Sequence, residues 1–213
     1  MTSGAPRPRV RMRAVQRREQ LLDVARELFA QKGYEATSIE EIAGRADVSK
    51  PVVYEHFGGK DGLYAAVAER EMQRVLERFT AAMGNPGRPR EMLERAALAL
   101  LDYIEEHTDG FRVLTRDAPV TGGVSTYSSL IGEVARKVEH ILAGQFDTRG
   151  YDPRLAQLYS QALVGMVSLV GQWWLDNRAL SKERVAAHLV NLSYNGLAHL
   201  EPHPDLIDRP AAV

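Results

Sequence analysis

The side chains of this 213-residue sequence with the plainest chemical purpose are cations and hydroxyls gathered near its N-terminus. Arg7, Arg9, Arg11, Arg13, Arg17 and Arg18 fall in the first 18 residues, which hold no acid. Thr37, Ser38, Arg45, Ser49, Lys50, Tyr54, His56 and Lys60 follow. Ammonium, guanidinium and hydroxyl groups suit a phosphate backbone, which they hold in register without reading its sequence. Lys50 can donate to guanine O6 or N7, while Pro51 and Val52 can rest on a thymine methyl group. Patterns for covalent or metal chemistry are missing. There is no Ser-His-Asp set, G-x-S-x-G, phosphate loop or zinc-ligand spacing, and no cysteine. His107, His140 and His188 form no metal pattern, and Pro202 interrupts the i, i+4 pair His199 and His203. The expectation is therefore no catalytic residue, no metal and no cofactor.

Two short helices must position these groups. In residues 37–57, TSIEEIAGRADVSKPVVYEHF, Ser38 and Glu41 have capping-box spacing. Ile39, Ile42 and Ala43 then fall on one face of a helix barely two turns long. The segment Arg45–Val48 breaks that period, and either Ser49 or Lys50 caps a second helix through Val52, Val53 and Tyr54. Pro51 lacks an N–H, which is harmless in a first turn, and it restricts Lys50. Two short helices joined by a tight turn are a helix-turn-helix, whose second helix is shaped for the major groove. With few polar readers on that helix, DNA shape and apolar contacts should share in specificity. Phe57 reads as core, and His56 is divided between a structural role and a DNA contact.

The charge distribution agrees. Overall 27 basic residues meet 28 acidic ones, yet residues 1–18 carry +6 and residues 19–213 carry −7. That asymmetry fits one anionic partner at the N-terminal end. The arginines are interleaved with apolar residues and no apolar run follows them, so this is not a secretory leader. The longest apolar run, Ala162 to Leu175, is interrupted by Ser168 and Gln172 and is too short for a bilayer. A cytoplasmic protein without a membrane partner is expected.

Taken in order, residues 1–14 read as a disordered basic arm, and a helix spans about Val15 to Lys32 with Gly33 as its stop. After the helix-turn-helix, Gly58-Gly59 is a break, and a longer helix runs from Lys60 to about Met83. The segment 84–89 is the clearest linker. Further helices are expected at 89–107, 111–115, 124–146, 153–177 and 181–200, with an irregular stretch through Pro119 and Gly122-Gly123. Residues 201–213 read as a flexible tail. No segment alternates over strand length, so the fold class is all-α. The helix from Leu155 to Leu175 is apolar almost all round. With Val185, Leu189, Leu192 and Ala198 on the next helix, it suggests a homodimer through the last two long helices.

The run Arg18-Glu19-Gln20-Leu21-Leu22, then Leu28-Phe29-Ala30-Gln31-Lys32-Gly33-Tyr34, then the helix-turn-helix with Tyr54-Glu55-His56-Phe57 and Lys60, resembles the tetracycline-repressor (TetR) family. The resemblance covers about residues 15–70. It implies a three-helix DNA-binding domain at 15–60 and a helical ligand-binding and dimerisation domain at 61–200. It also implies an operator released by a small molecule. Carried onto this sequence, Ser49, Lys50, Pro51, Val52, Tyr54 and His56 lie on or beside the recognition helix. Thr37 or Ser38, and Lys60, would bind phosphate. Asp47 departs from the family, which usually has glycine in that turn; aspartate tolerates the left-handed conformation at some strain.

For an apolar or aromatic effector, the candidate walls are Met92, Tyr103, Phe111, Leu114, Ile131, Met166, Trp173 and Trp174, with Thr115, Tyr127 and Gln172 as polar anchors. Repression and activation both remain open. A nucleoid-associated DNA-binding protein without a ligand switch is the alternative, and a helical enzyme is the remote one.

Overall fold

A computed structural model describes residues 14–85, 87–116, 126–201 and 204. The basic arm before residue 14, most of the irregular stretch and nearly all of the tail lie outside the described residues. Every regular element among the described residues is helical. The order is α1 Ala14–Lys32, α2 Ile39–Arg45, α3 Lys50–Phe57, α4 Lys60–Met83, α5 Pro89–Glu106, α6 Thr108–Thr115, α7 Thr126–Arg149, α8 Ala156–Asp176 and α9 Lys182–Ala198. A 3-10 turn, Pro153–Leu155, precedes α8. It displaces the expected helix start because the Asp152 carboxylate accepts from the Arg154 N–H at 2.9 Å and closes a tighter turn first. No helix among the described residues is long and apolar enough to cross a membrane.

The chain forms two compact units. Residues 14–71 group with 109–116, and residues 72–108 group with those from 126 onward. The boundary thus falls inside α4, and α6 packs with the helix-turn-helix, whereas the sequence reading placed everything from 61 onward in the regulatory half. Two bonds account for α6. The Tyr64 hydroxyl donates to the Val113 carbonyl at 3.1 Å, and Arg116 reaches the Phe29 carbonyl at 3.4 Å.

In the first unit, Leu21, Leu22, Ala25, Leu28 and Phe29 of α1 make the expected apolar face. They pack with Ile42 and Ala43 of α2, Val53 of α3 and Leu63 and Val67 of α4. Phe29, Tyr34 and Tyr64 form a ring cluster with centroids 5.0 to 6.1 Å apart. Gly33 ends α1 at φ 82°, a conformation costly for any residue with a Cβ. The α1–α4 contact also holds a buried carboxylate. Glu71, fully buried, lies 4.0 Å from the Arg26 guanidinium and 3.5 Å from that of Arg70. Arg70 in turn reaches Asp23 at 3.0 Å and Glu19 at 3.2 Å, so the buried charge is shared through a network.

In the second unit α7 packs on α8 and α5 on α9. Helices α5 and α8 approach closely at Gly171, where an added Cβ would lie 2.9 Å from Ile104 Cδ1 and 3.2 Å from Leu100 Cδ2. The Lys182 ammonium joins α9 to α5 through Asp102 at 2.8 Å and Glu105 at 2.6 Å, and these two acceptors raise its pKa.

Candidate DNA interface and effector cavity

Local chemistry shapes the helix-turn-helix. The Ser38 hydroxyl accepts from the Glu41 N–H at 3.2 Å, the forward half of a capping box. The return half is not made, because the Glu41 carboxylate pairs with Lys32. At the other end of α2, the Val48 N–H reaches the Ala43 carbonyl at 2.9 Å and the Asp47 N–H reaches Gly44 at 3.2 Å. These are the two bonds of a Schellman stop. It requires a left-handed residue where Asp47 stands, and Asp47 has φ 51°, the sole positive φ among the described non-glycine residues. The turn thus has the left-handed residue expected at this position, supplied by aspartate. Gln20 pins it to α1, its amide donating to the Ala46 carbonyl at 3.2 Å.

Ser49 is the cap of α3 by backbone conformation (φ −83°, ψ 151°), which settles the choice against Lys50; its hydroxyl makes no capping bond. Val53 faces the core with no exposure, while Lys50, Pro51, Tyr54 and Glu55 face outward, Tyr54 at 54 % exposure. Val52 departs from the expected outward set: it is half-buried and packs against the core, as does Phe57. Pro51 is thus the exposed apolar group of the helix start. His56 is half-buried near the Phe57 ring, and its carbonyl accepts from Arg18 at 3.3 Å. Arg18 also lies 4.5 Å from the Phe57 ring centroid, holding α1 to the end of α3.

The remaining polar candidates divide by engagement. Thr37 is buried, and its hydroxyl donates to the Gly33 carbonyl at 2.7 Å. Its side chain closes the end of α1, and Ser38 is the exposed hydroxyl of that pair. Lys60 is also engaged. Its ammonium reaches the Thr37 carbonyl at 3.0 Å, that of Glu35 at 3.3 Å, and the Tyr34 ring at 4.2 Å. Burial, then hydrogen bonding to Asp61, pushes the Tyr34 phenol up to about 12. Arg45 pairs with Glu27 at 3.1 Å, both well exposed. Lys50 pairs with Glu40, and the Lys50 hydrogen bond holds the Glu40 carboxyl below its usual range. An exposed pair of this kind is weak in water and screened by salt, so exchanging Glu40 for a nucleic-acid acceptor costs little.

The second unit contains an apolar cavity of about 130 Å³ between the end of α4 and α5, α7, α8 and α9. Phe79, Leu93, Ile141, Phe146, Leu163 and Tyr194 are among its walls. Of the expected wall residues only Met92 lines it. Phe111, Leu114 and Thr115 belong to the first unit, where Thr115 donates to the Phe111 carbonyl at 3.0 Å. Tyr103 is wholly buried beside the His107 ring. Trp174 is a structural residue: its indole N–H donates to the Leu180 carbonyl at 2.9 Å and Arg178 lies 3.7 Å from its ring centroid. Ile131 and Met166 are half-buried and do not line this cavity, and Trp173 is exposed. Tyr127 and Gln172 do come together, with Ser168. Burial raises the Tyr127 phenol's pKa, and hydrogen bonding to Gln172 and Ser168 opposes that rise. The α7 wall of this cavity is the repeat Val138, Ile141, Leu142, Phe146, an apolar face that the candidate wall residues did not include.

Residues 21–67 match the family model described as bacterial regulatory proteins, tetR family, and residues 89–196 match the tetracyclin repressor-like C-terminal domain. The HTH-type transcriptional activator FasR of Mycolicibacterium smegmatis is 30% identical over 203 residues, covering 93% of this chain and 90% of that protein. A TetR-like transcriptional regulator from Rhodococcus sp. RHA1 has a similar structure, with TM-score 0.67, 30% identity, and coverage of 91% of this chain and 99% of that one. A tetR-family transcriptional regulator from Streptomyces coelicolor gives TM-score 0.70 at 28% identity, covering 88% of this chain and 82% of that one.

Proposed function

The chain belongs to the TetR family of bacterial regulatory proteins, and from that premise we propose that it is a repressor released from a palindromic operator by a small apolar or aromatic ligand. Its role as a DNA-binding transcriptional regulator is that of the family. The observation that carries the reading is the outward face of α3. Lys50, Pro51 and Tyr54 project there from a helix whose opposite face is locked into the core by Val53. Lys50 reads base edges after leaving Glu40, Pro51 meets thymine methyl groups, and Tyr54, Ser38 and Arg45 hold phosphates. Lys60 fixes the loop from Tyr34 to Thr37 and has one ammonium N–H left for a phosphate.

TetR regulators work as dimers, and here α8 and α9 supply the contact. Leu158, Leu169 and Trp173 stand exposed along α8, and Leu192 at 65 % exposure stands on α9. Val185 and Leu189 of α9 are buried within their own chain, so the interface draws more on α8 than the sequence pattern implied. The effector enters the apolar cavity and favours a dimer whose recognition helices no longer match successive major grooves. Only a difference in its affinity for the two conformations can drive that shift. Activation is the second reading, favoured by the name of the Mycolicibacterium relative. Binding to a palindromic duplex should lose roughly a thousandfold or more between about 50 and 200 mM salt. Salt-independent binding would remove the proposed phosphate contacts.

A further inference from the structure

Helix α7 borders a second hollow besides the apolar cavity. This is an open groove of about 550 Å³ against the end of α4, and Phe79, Met83 and Ile141 line both. The two spaces are therefore separated by a single wall of flexible or apolar side chains. Their chemistry is opposite. The groove presents Arg136, Lys137 and His140 against one acid, Glu133. Among the described residues none of these three basic side chains has an ion-pair or hydrogen-bond partner. Positions 136, 137 and 140 lie within about one turn of helix, so basic groups outnumber the one acid, Glu133, that shares the groove with them.

Building on the effector reading, we infer that the ligand is an anionic amphiphile whose apolar tail fills the cavity and whose carboxylate or phosphate head lies in the groove. The cavity volume sets the tail. A dry apolar cavity of about 150 Å³ accepts benzene, so this one takes about six carbons before its walls must move. The groove sets the head. A neutral head could accept only single, weaker hydrogen bonds from these donors, whereas a carboxylate or phosphate forms charge-assisted ones with several of them. His140 offers an N–H in either protonation state. Arg149, at the far end of α7, is the competing cation: it lines the apolar cavity itself, two turns beyond Ile141.

The test is calorimetric titration of the DNA-free full chain with octanoate and octyl phosphate, each below its micelle concentration, and with octanol below its solubility limit. The two anions should bind at least about tenfold more tightly than the alcohol. In the variant Arg136→Gln/Lys137→Gln/His140→Gln that preference should vanish while octanol binding is unchanged. Arg149→Gln should keep it. Whichever anion binds more tightly identifies the head as carboxylate or phosphate. Equal binding of all three, no binding of any, or loss of preference in Arg149→Gln alone would overturn the inference. Operator release is read separately by fluorescence anisotropy. Anion binding that leaves the operator bound would sink the effector reading and keep the ligand class. Release by octanol as readily as by octanoate would sink the ligand class and keep the effector reading.

Discussion

At the scale of single residues, the DNA-facing surface is held in a paired state. Lys50 rests on Glu40 and Arg45 on Glu27, so in the proposed DNA contact each cation would exchange a carboxylate for a phosphate or base. On the proposed contact Glu40 would oppose DNA twice, by holding Lys50 and by placing its own charge near phosphates. Glu40→Gln should therefore tighten operator binding roughly two- to five-fold, with a larger gain at low salt. Unchanged or weaker binding in anisotropy titrations would show that the pair positions Lys50 instead. Asp47 carries a different burden, since the Schellman stop fixes its φ at 51°. A β-branched side chain there is an outlier, and Asp47→Val should cost about 1–2 kcal/mol in urea denaturation. These residues were legible in the sequence because caps, stops and turns are local. The engagement of Thr37 and Lys60 was not, because their partners depend on how α1 and α4 meet the intervening loop.

Among the elements, the junction of α3 and α4 is the least forgiving. A Cβ built on Gly62 would overlap the backbone carbonyl oxygen of Phe57, which no rotamer can relieve. Gly62→Ala, a mild change in most helices, should cost about 3 kcal/mol here, at the upper end for overpacking, and lower the melting temperature of the DNA-binding unit. A melting curve like that of the native chain would contradict this close approach. The helices themselves followed from spacing: α1, α2 and α3 keep the apolar faces read from the sequence, and Gly33 and Ser49 mark their ends. The cavity was harder to read. Aromatic side chains drew attention to Trp173, Trp174 and Phe111, yet these serve the surface, a tryptophan-capped turn and the α6 core. Periodicity shows that a helix has an apolar face; it does not show which part of that face is left uncovered.

For the whole molecule, the proposed function requires two copies. A single α3 offers few contacts, and on this proposal affinity for an operator would come from engaging two half-sites at once. Leu169, exposed at 67 % on α8, stands at the proposed interface. Leu169→Glu should yield monomers in sedimentation and reduce operator affinity at least about a hundredfold by losing the second arm. A dimer that persists would move the interface elsewhere. The central claim, that α3 reads DNA while the helical remainder sets the spacing of two readers, is tested most directly by selecting binding sites from random duplexes with the native chain and with Lys50→Ala. An inverted repeat should be enriched by both, with the same half-site spacing and with different preferred bases inside each half-site. No repeat, or identical base preferences for the two proteins, would contradict it.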